Sequence, residues 1–252
     1  MLDLLPTLAG PWLVVACRSL GLAWAGPALG SLAVGWRLRL ALVGVLTMVL
    51  GPSIGPTLDV PVGALALGRT CLGELAVGAA LGLSAGLVIA AARQAGEVVG
   101  MQSGLSAAAL FDPEVNGELT PVGHLYGLVA LGVFLAMDGP MGLVRSLAES
   151  YRVAPAGGPE LSAELADWAF GRVGEALSLS LRAAAPTALA LVAAGLALGL
   201  LGRAAGGLGL LSLALPARSA LGLLLVGLGL ATLASTLAAG WDAALGPMVI
   251  GR

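Results

Sequence analysis

The first group of residues able to do chemistry is Gly82-Leu83-Ser84-Ala85-Gly86, which matches the G-x-S-x-G pattern of a serine nucleophile elbow. His124, the one histidine, is the one available imidazole base. That elbow belongs at a strand-to-helix turn, whereas Ser84 sits midway along an apolar helical run in a chain with 39 glycines, so serine hydrolysis is the weaker reading. His124 follows Pro121 at the edge of an apolar block and reads as an interfacial polar residue. Zinc needs three or four converging ligands, and one histidine with two distant cysteines, Cys17 and Cys71, does not supply them. The cysteines read as inert thiols in apolar stretches. Asp112, Glu114 and Glu118 read as a solvated acidic loop. All 12 basic residues are arginine, which excludes Schiff-base and P-loop lysine chemistry. The expectation is a protein without catalytic residues, metal or cofactor.

The remaining chemistry is electrostatic and set among apolar residues: Glu74, Arg93 and Glu97. The chain is 58% hydrophobic and 10% charged with mean hydropathy +1.00, against roughly 25% charged residues in soluble domains. Most of its surface therefore does not face water. A net charge of −2 with no basic block excludes a nucleic-acid partner. Asp3 and Arg18 interrupt the N-terminal apolar run, so a cleaved signal peptide is not expected. Ionisable residues in lipid are expensive and call for a function or a partner. Arg93 and Glu97, four apart, can pair along one helix face. A small permease would also place such residues on broken helices, but no two-half symmetry is visible.

The elements that must position these residues are helices, because only helices and closed barrels satisfy the backbone in lipid. The predicted fold is all-α: an integral membrane protein of about six apolar, partly broken helices arranged as hairpins. The candidate segments are Pro11–Gly35, Leu38–Leu58, Thr70–Val99, Val122–Met137, Leu179–Gly202 and Leu208–Trp241. Arg18, Glu74, Arg93, Arg182, Pro186, Pro216 and Arg218 interrupt them, so the spans are expected to pack against protein inside a larger assembly. Residues 1–252 read as a single membrane domain. Within it, 138–178 is a polar connecting region that opens on the helix stop Asp138-Gly139-Pro140. This region carries a short amphipathic helix with Leu161, Leu165 and Trp168 on one side. Arginine counting fixes no orientation.

Glycines recur four apart at 78, 82 and 86, and again at 96, 100 and 104, the spacing that lets helix backbones approach in lipid. The second stripe lies within Ala95-Gly96-Glu97-Val98-Val99-Gly100-Met101-Gln102-Ser103-Gly104-Leu105-Ser106, followed by Ala108 and Asp112-Pro113. This stretch resembles the signature of the FliR/SctT family, export-gate subunits of flagellar and virulence type III secretion systems. The likeness continues in order through most of the chain. It takes in Arg18, Gly26-Pro27-Ala28, the Glu74-centred Gly73–Gly78, Pro121-Val122-Gly123, Phe134–Gly139, Ser150-Tyr151, Leu198–Ala205 and Leu215-Pro216.

The resemblance implies a non-enzymatic subunit of the type III protein export gate in the bacterial inner membrane. It would be multi-pass, part of the flagellar basal body, and needed for export of flagellar proteins. The alternatives are a virulence-type (injectisome) subunit or a small permease. Implied partners are the P-type and Q-type gate subunits, the B-type and A-type export proteins, unfolded exported proteins and membrane lipid. The resemblance also assigns residues. Leu105, Ser106, Ala107, Ala108, Ala109, Leu110, Phe111, Asp112 and Pro113 would form the gate or plug loop. Gly96, Glu97, Gly100, Gln102, Gly104, Glu74, Asp138, Gly139 and Arg203 would serve helix packing as motif positions. Three departures stand out. Gly206-Gly207-Leu208-Gly209 replaces a Pro-Gln-hydrophobic-Asn run, and Pro140-Met141 replaces His-His. The loop keeps only Leu110 and Phe111 as bulky residues.

Overall fold

The computed structural model describes residues 4–26, 35–54, 63–105, 120–155, 163–204 and 209–246. These form seven α-helices and no strand among the described residues: α1 (Leu4–Ala25), α2 (Trp36–Ile54), α3 (Ala64–Ser103), α4 (Pro121–Ala136), α5 (Gly139–Val153), α6 (Ala163–Ala204) and α7 (Gly209–Leu245). The chain is all-α. Spans within α2, α3, α6 and α7 are long and apolar enough to cross a membrane, and α4 with α5 makes a fifth candidate if counted as one broken span.

Helices α3 and α6 run past both segment ends read from the sequence, whereas α1 ends at Ala25, short of the expected Gly35. The 40 residues of α3 rise about 60 Å, roughly twice the hydrocarbon thickness of a bilayer. Pro186 and Pro216 were expected to interrupt their spans, yet α6 and α7 continue through them. Each proline removes one helix donor, a loss that neighbouring groups can make good in a membrane helix. From Ala163 on, the segment expected as a short separate helix forms the first turns of the 42-residue α6; Leu161 lies outside the described residues. Its faces are as the periodicity indicated: Leu165 is buried and Trp168 half-buried, with Glu164 and Asp167 exposed. Gly171 and Gly174 follow without ending the helix, each costing only about 1 kcal/mol relative to alanine.

Two compact units are present. One comprises residues 1–87, 135–174 and 241–252, and the other residues 88–134 and 175–240. In the first, Val15, Leu22, Leu46, Val77, Leu81 and Leu147 form a buried core, flanked by Tyr151 and Trp168. Here α1 and α3 meet backbone to backbone. A Cβ at Gly78 would fall on the carbonyl of Arg18, one at Gly21 on that of Leu75, and one at Gly82 within 2.8 Å of the Leu22 oxygen. The first glycine stripe is therefore a packing seam. The second unit buries Val99, Tyr126, Phe134, Leu191, Leu233 and Leu237. In it the phenol of Tyr126 on α4 hydrogen-bonds to Thr187 on α6. Many large apolar side chains face outward, among them Val45, Met48 and Val49 on α2 and Leu181, Leu189 and Leu196 on α6. Such continuous apolar surface suits lipid or partner subunits and is unfavourable in water.

Candidate functional site

In the second unit, the glycine signature on α3 forms a socket for the start of α4. Thr120 immediately precedes Pro121, and its hydroxyl accepts the N–H of Gly123 at 3.1 Å, capping the helix. The carboxylate of Glu97 then takes hold of Thr120. Its Oε1 accepts the Thr120 backbone N–H at 2.7 Å and the Thr120 hydroxyl at 3.1 Å. A carboxylate at a helix N-terminus also complements the helix dipole. Close approach is required on both sides. A Cβ at Gly96 would lie 2.7 Å from the Val122 oxygen and the Gly123 Cα, one at Gly100 would lie 2.6 Å from Thr120 Oγ1, and one at Gly123 would strike Glu97. Gly127, one turn on, packs against the Arg93 side chain, 2.8 Å from a Cβ position to Nε. Arg93 and Glu97 thus both engage α4, and among the described residues they form no ion pair with each other.

Gly104 has a different role from Gly96 and Gly100. Its φ is 79°, the left-handed region that glycine enters at little cost, and its N–H closes on the Met101 oxygen at 3.3 Å, ending α3. Just before it, the buried Ser103 is fastened to α7. Its carbonyl accepts the Ser219 hydroxyl at 3.2 Å, and Gly222 lies directly on its side chain. The stems on either side of 106–119 are thus pinned, at Ser103 by α7 and at Thr120 by α3. Of the expected gate loop, Leu105 is described and half-buried, and Ser106–Pro113 lie outside the described residues.

The first unit holds a buried charged node. Arg18 on α1 and Glu74 on α3 are both fully buried and joined by an Nε–Oε2 ion pair at 2.6 Å. The same guanidinium donates to Ser150 Oγ and to the Ala154 carbonyl, each at 3.0 Å, and stands 4.0 Å from the Tyr151 ring centroid. One arginine therefore ties α1, α3 and the end of α5 together. Burying such charges is tolerable only because each is paired and hydrogen-bonded. Beside this node the thiols of Cys17 and Cys71 are half-buried and hydrogen-bond to each other.

The other expected positions are dispersed. Asp138 has φ 54° and ψ 36°, a left-handed turn that aspartate tolerates better than most residues, and leads into α5 through the buried Gly139. Its side chain caps nothing, but its carbonyl accepts the Gly142 N–H. Gln102 is half-buried, and its Oε1 is shielded without a hydrogen-bond partner among the described residues. Arg203 is exposed in the last turn of α6, where a cation complements the helix dipole. Ser84 lies within unbroken α3, where its hydroxyl donates to the Leu81 carbonyl at 2.8 Å and lies within reach of that of Ala244 at 3.4 Å. That geometry is unlike an exposed elbow serine. His124 is exposed on α4.

The sequence profile of the bacterial export proteins, family 1, matches residues 9–244, nearly the whole chain and both structural units. The chain belongs to that family. It is 31% identical over 210 residues to the flagellar biosynthetic protein FliR of Escherichia coli (strain K12), covering 83% of this chain and 80% of that protein. It is 30% identical to the FliR of Pectobacterium carotovorum subsp. carotovorum over 84% of this chain and 80% of that protein. The Yop proteins translocation protein T of Yersinia pestis is 27% identical over 76% of this chain and 74% of that protein. Sequence reasoning about this export protein left out Thr120, Ser219 and Gly222, which complete the socket. Thr120-Pro121 was a legible signal, since threonine directly before proline is a helix start with its cap. Nothing local marked Ser219 and Gly222 as partners of Ser103.

Proposed function

We propose that this protein is a non-enzymatic subunit of a type III protein export gate in the bacterial inner membrane, serving flagellar assembly. The observation that supports this best is the family match over residues 9–244 together with the identities to two flagellar biosynthetic proteins. Outward apolar surfaces on α2 and α6 suit a subunit covered by lipid and by the P-type and Q-type gate subunits. The B-type and A-type export proteins would stand nearby, with unfolded exported chains as substrate. In this reading residues 105–113 form the closure, and the pinned stems at Ser103 and Thr120 transmit movements of α3, α4 and α7 to it.

A virulence-type role is the second reading, favoured by the match to the Yersinia translocation protein. Deleting the gene and restoring it decides between them. The flagellar reading expects loss and recovery of flagellin secretion and motility, and co-purification with the P-type and Q-type subunits. Loss of effector secretion with flagella intact supports the second reading. Intact secretion of both kinds refutes the export role.

A further inference from the structure

In the first unit α1 and α3 run side by side in the same direction. Positions Gly78, Gly82 and Gly86 of α3 meet the carbonyls of Arg18, Leu22 and Ala25 of α1 in that order, and Gly21 of α1 rests on the carbonyl of Leu75. Residues four apart share a helix face, so one turn before the Gly21–Leu75 contact the two helices present Cys17 and Cys71 to each other. The thiols do meet there, in hydrogen-bonding contact across the seam. No disulfide joins them, and both are half-buried. The buried Arg18–Glu74 ion pair follows directly after Cys17 on α1 and one turn after Cys71 on α3. It fixes the rotation of each helix about its own axis, so neither thiol turns away from the other without disturbing that pair. A disulfide needs Cα atoms about 4.4–6.8 Å apart, the kind of approach that backbones packed without an intervening Cβ provide.

We propose that Cys17 and Cys71 are an oxidation site, which closes to an intramolecular disulfide and locks α1 to α3. The oxidant is a peroxide, with hydrogen peroxide the simplest case, because a small uncharged molecule reaches thiols set among apolar residues. One sulfur attacks a peroxide oxygen: the S–O bond forms, the O–O bond breaks, and the hydroxide released takes up the thiol proton as water. The second sulfur attacks the sulfenic sulfur: the S–S bond forms, the S–O bond breaks, and a second water leaves with the remaining thiol proton. Each sulfur gives up one electron and each peroxide oxygen gains one. A solitary thiol would pass on to sulfinic acid, whereas a thiol in contact diverts the sulfenic acid to the disulfide. Exchange with a reduced dithiol reopens the lock. The inference rests on the packing of α1 against α3 and not on the export role.

The test exposes the full chain in isolated membranes to hydrogen peroxide, then denatures it and labels free thiols with N-ethylmaleimide. Intact mass should show both cysteines labelled before oxidation, neither after it, and both again once dithiothreitol has acted. In detergent, the oxidised protein should melt roughly 5–15 °C higher than the reduced one, because the crosslink closes a loop of about 50 residues and restricts the unfolded chain. Cys17→Ala and Cys71→Ala should each melt close to the reduced parent and show no rise with peroxide. Where an alanine variant fails to fold, the labelling and melting of the parent protein decide alone. Thiols that stay labelled after peroxide overturn the proposal, as does oxidation to sulfinic or sulfonic acid without a crosslink. Disulfides formed between chains in place of within one overturn it as well. An intramolecular disulfide that leaves the melting midpoint unchanged refutes the lock.

Discussion

Glu97 is the residue on which the socket for α4 depends, and its substitution separates two explanations of why a carboxylate stands there. One Oε1 accepts two hydrogen bonds from Thr120, at 2.7 and 3.1 Å. Bonds to a charged acceptor contribute about 1.5–3 kcal/mol each when buried. Glu97 is half-buried, and Thr120 retains its own cap on Gly123, so the low end applies. Glu97→Ala is therefore expected to cost about 2–4 kcal/mol, a fall of roughly 5–15 °C in the midpoint of thermal unfolding. Glu97→Gln keeps a carbonyl oxygen at the same position and gives up only the charge, so its loss should be about 1 kcal/mol. The assay is thermal unfolding of the purified protein in one detergent, followed by circular dichroism. If Gln proves as damaging as Ala, the charge itself is what matters, and the hydrogen-bond account of the socket is wrong.

Four further outcomes are expected. Gly78→Ala should lower the unfolding midpoint sharply, because its Cβ would occupy the place of the Arg18 carbonyl, with overpacking costing about 1–3 kcal/mol. Gly199→Ala, with open space around it, should be neutral or slightly stabilising in the same melt. Arg18→Ala should cost about 3–5 kcal/mol by leaving Glu74 charged and buried, while Arg18→Met combined with Glu74→Met should recover most of that; equal damage in the double variant would show that the ion pair is not the relevant unit. Replacing Ala107, Ala108 and Ala109 together by glycine should leave assembly intact and raise ion conductance across cells expressing the complex, and unchanged conductance in a correctly assembled complex removes the closure role from that loop.

What the sequence displayed well was everything carried by composition and local spacing. The apolar excess announced helices in lipid, and the spacing at Gly78 and Gly82 announced a close helix contact. It displayed poorly whatever needs two distant segments at once. Arg18 and Glu74 were visible as two separate interruptions, and only folding brings them within 2.6 Å. Arg93 and Glu97 looked like partners because a helix places them together, but Thr120 offers Glu97 two donors and takes its place. Gly104 looked like a third packing glycine, since spacing alone does not reveal that the helix ends there with φ at 79°. Pro186 and Pro216 carried the local signature of breaks, yet both stand exposed within helices that continue through them.

The node around Arg18 also bears on how the protein is made. Arg18 and Glu74 enter the membrane early, but the hydroxyl and carbonyl that complete the guanidinium's shell, on Ser150 and Ala154, lie about 80 residues after Glu74. At about 5–20 residues per second of synthesis, the first hairpins wait on the order of 4–16 s with a charged group only partly satisfied. A chain truncated before α5 should therefore be a substrate for membrane quality-control proteolysis, not a stable half-protein.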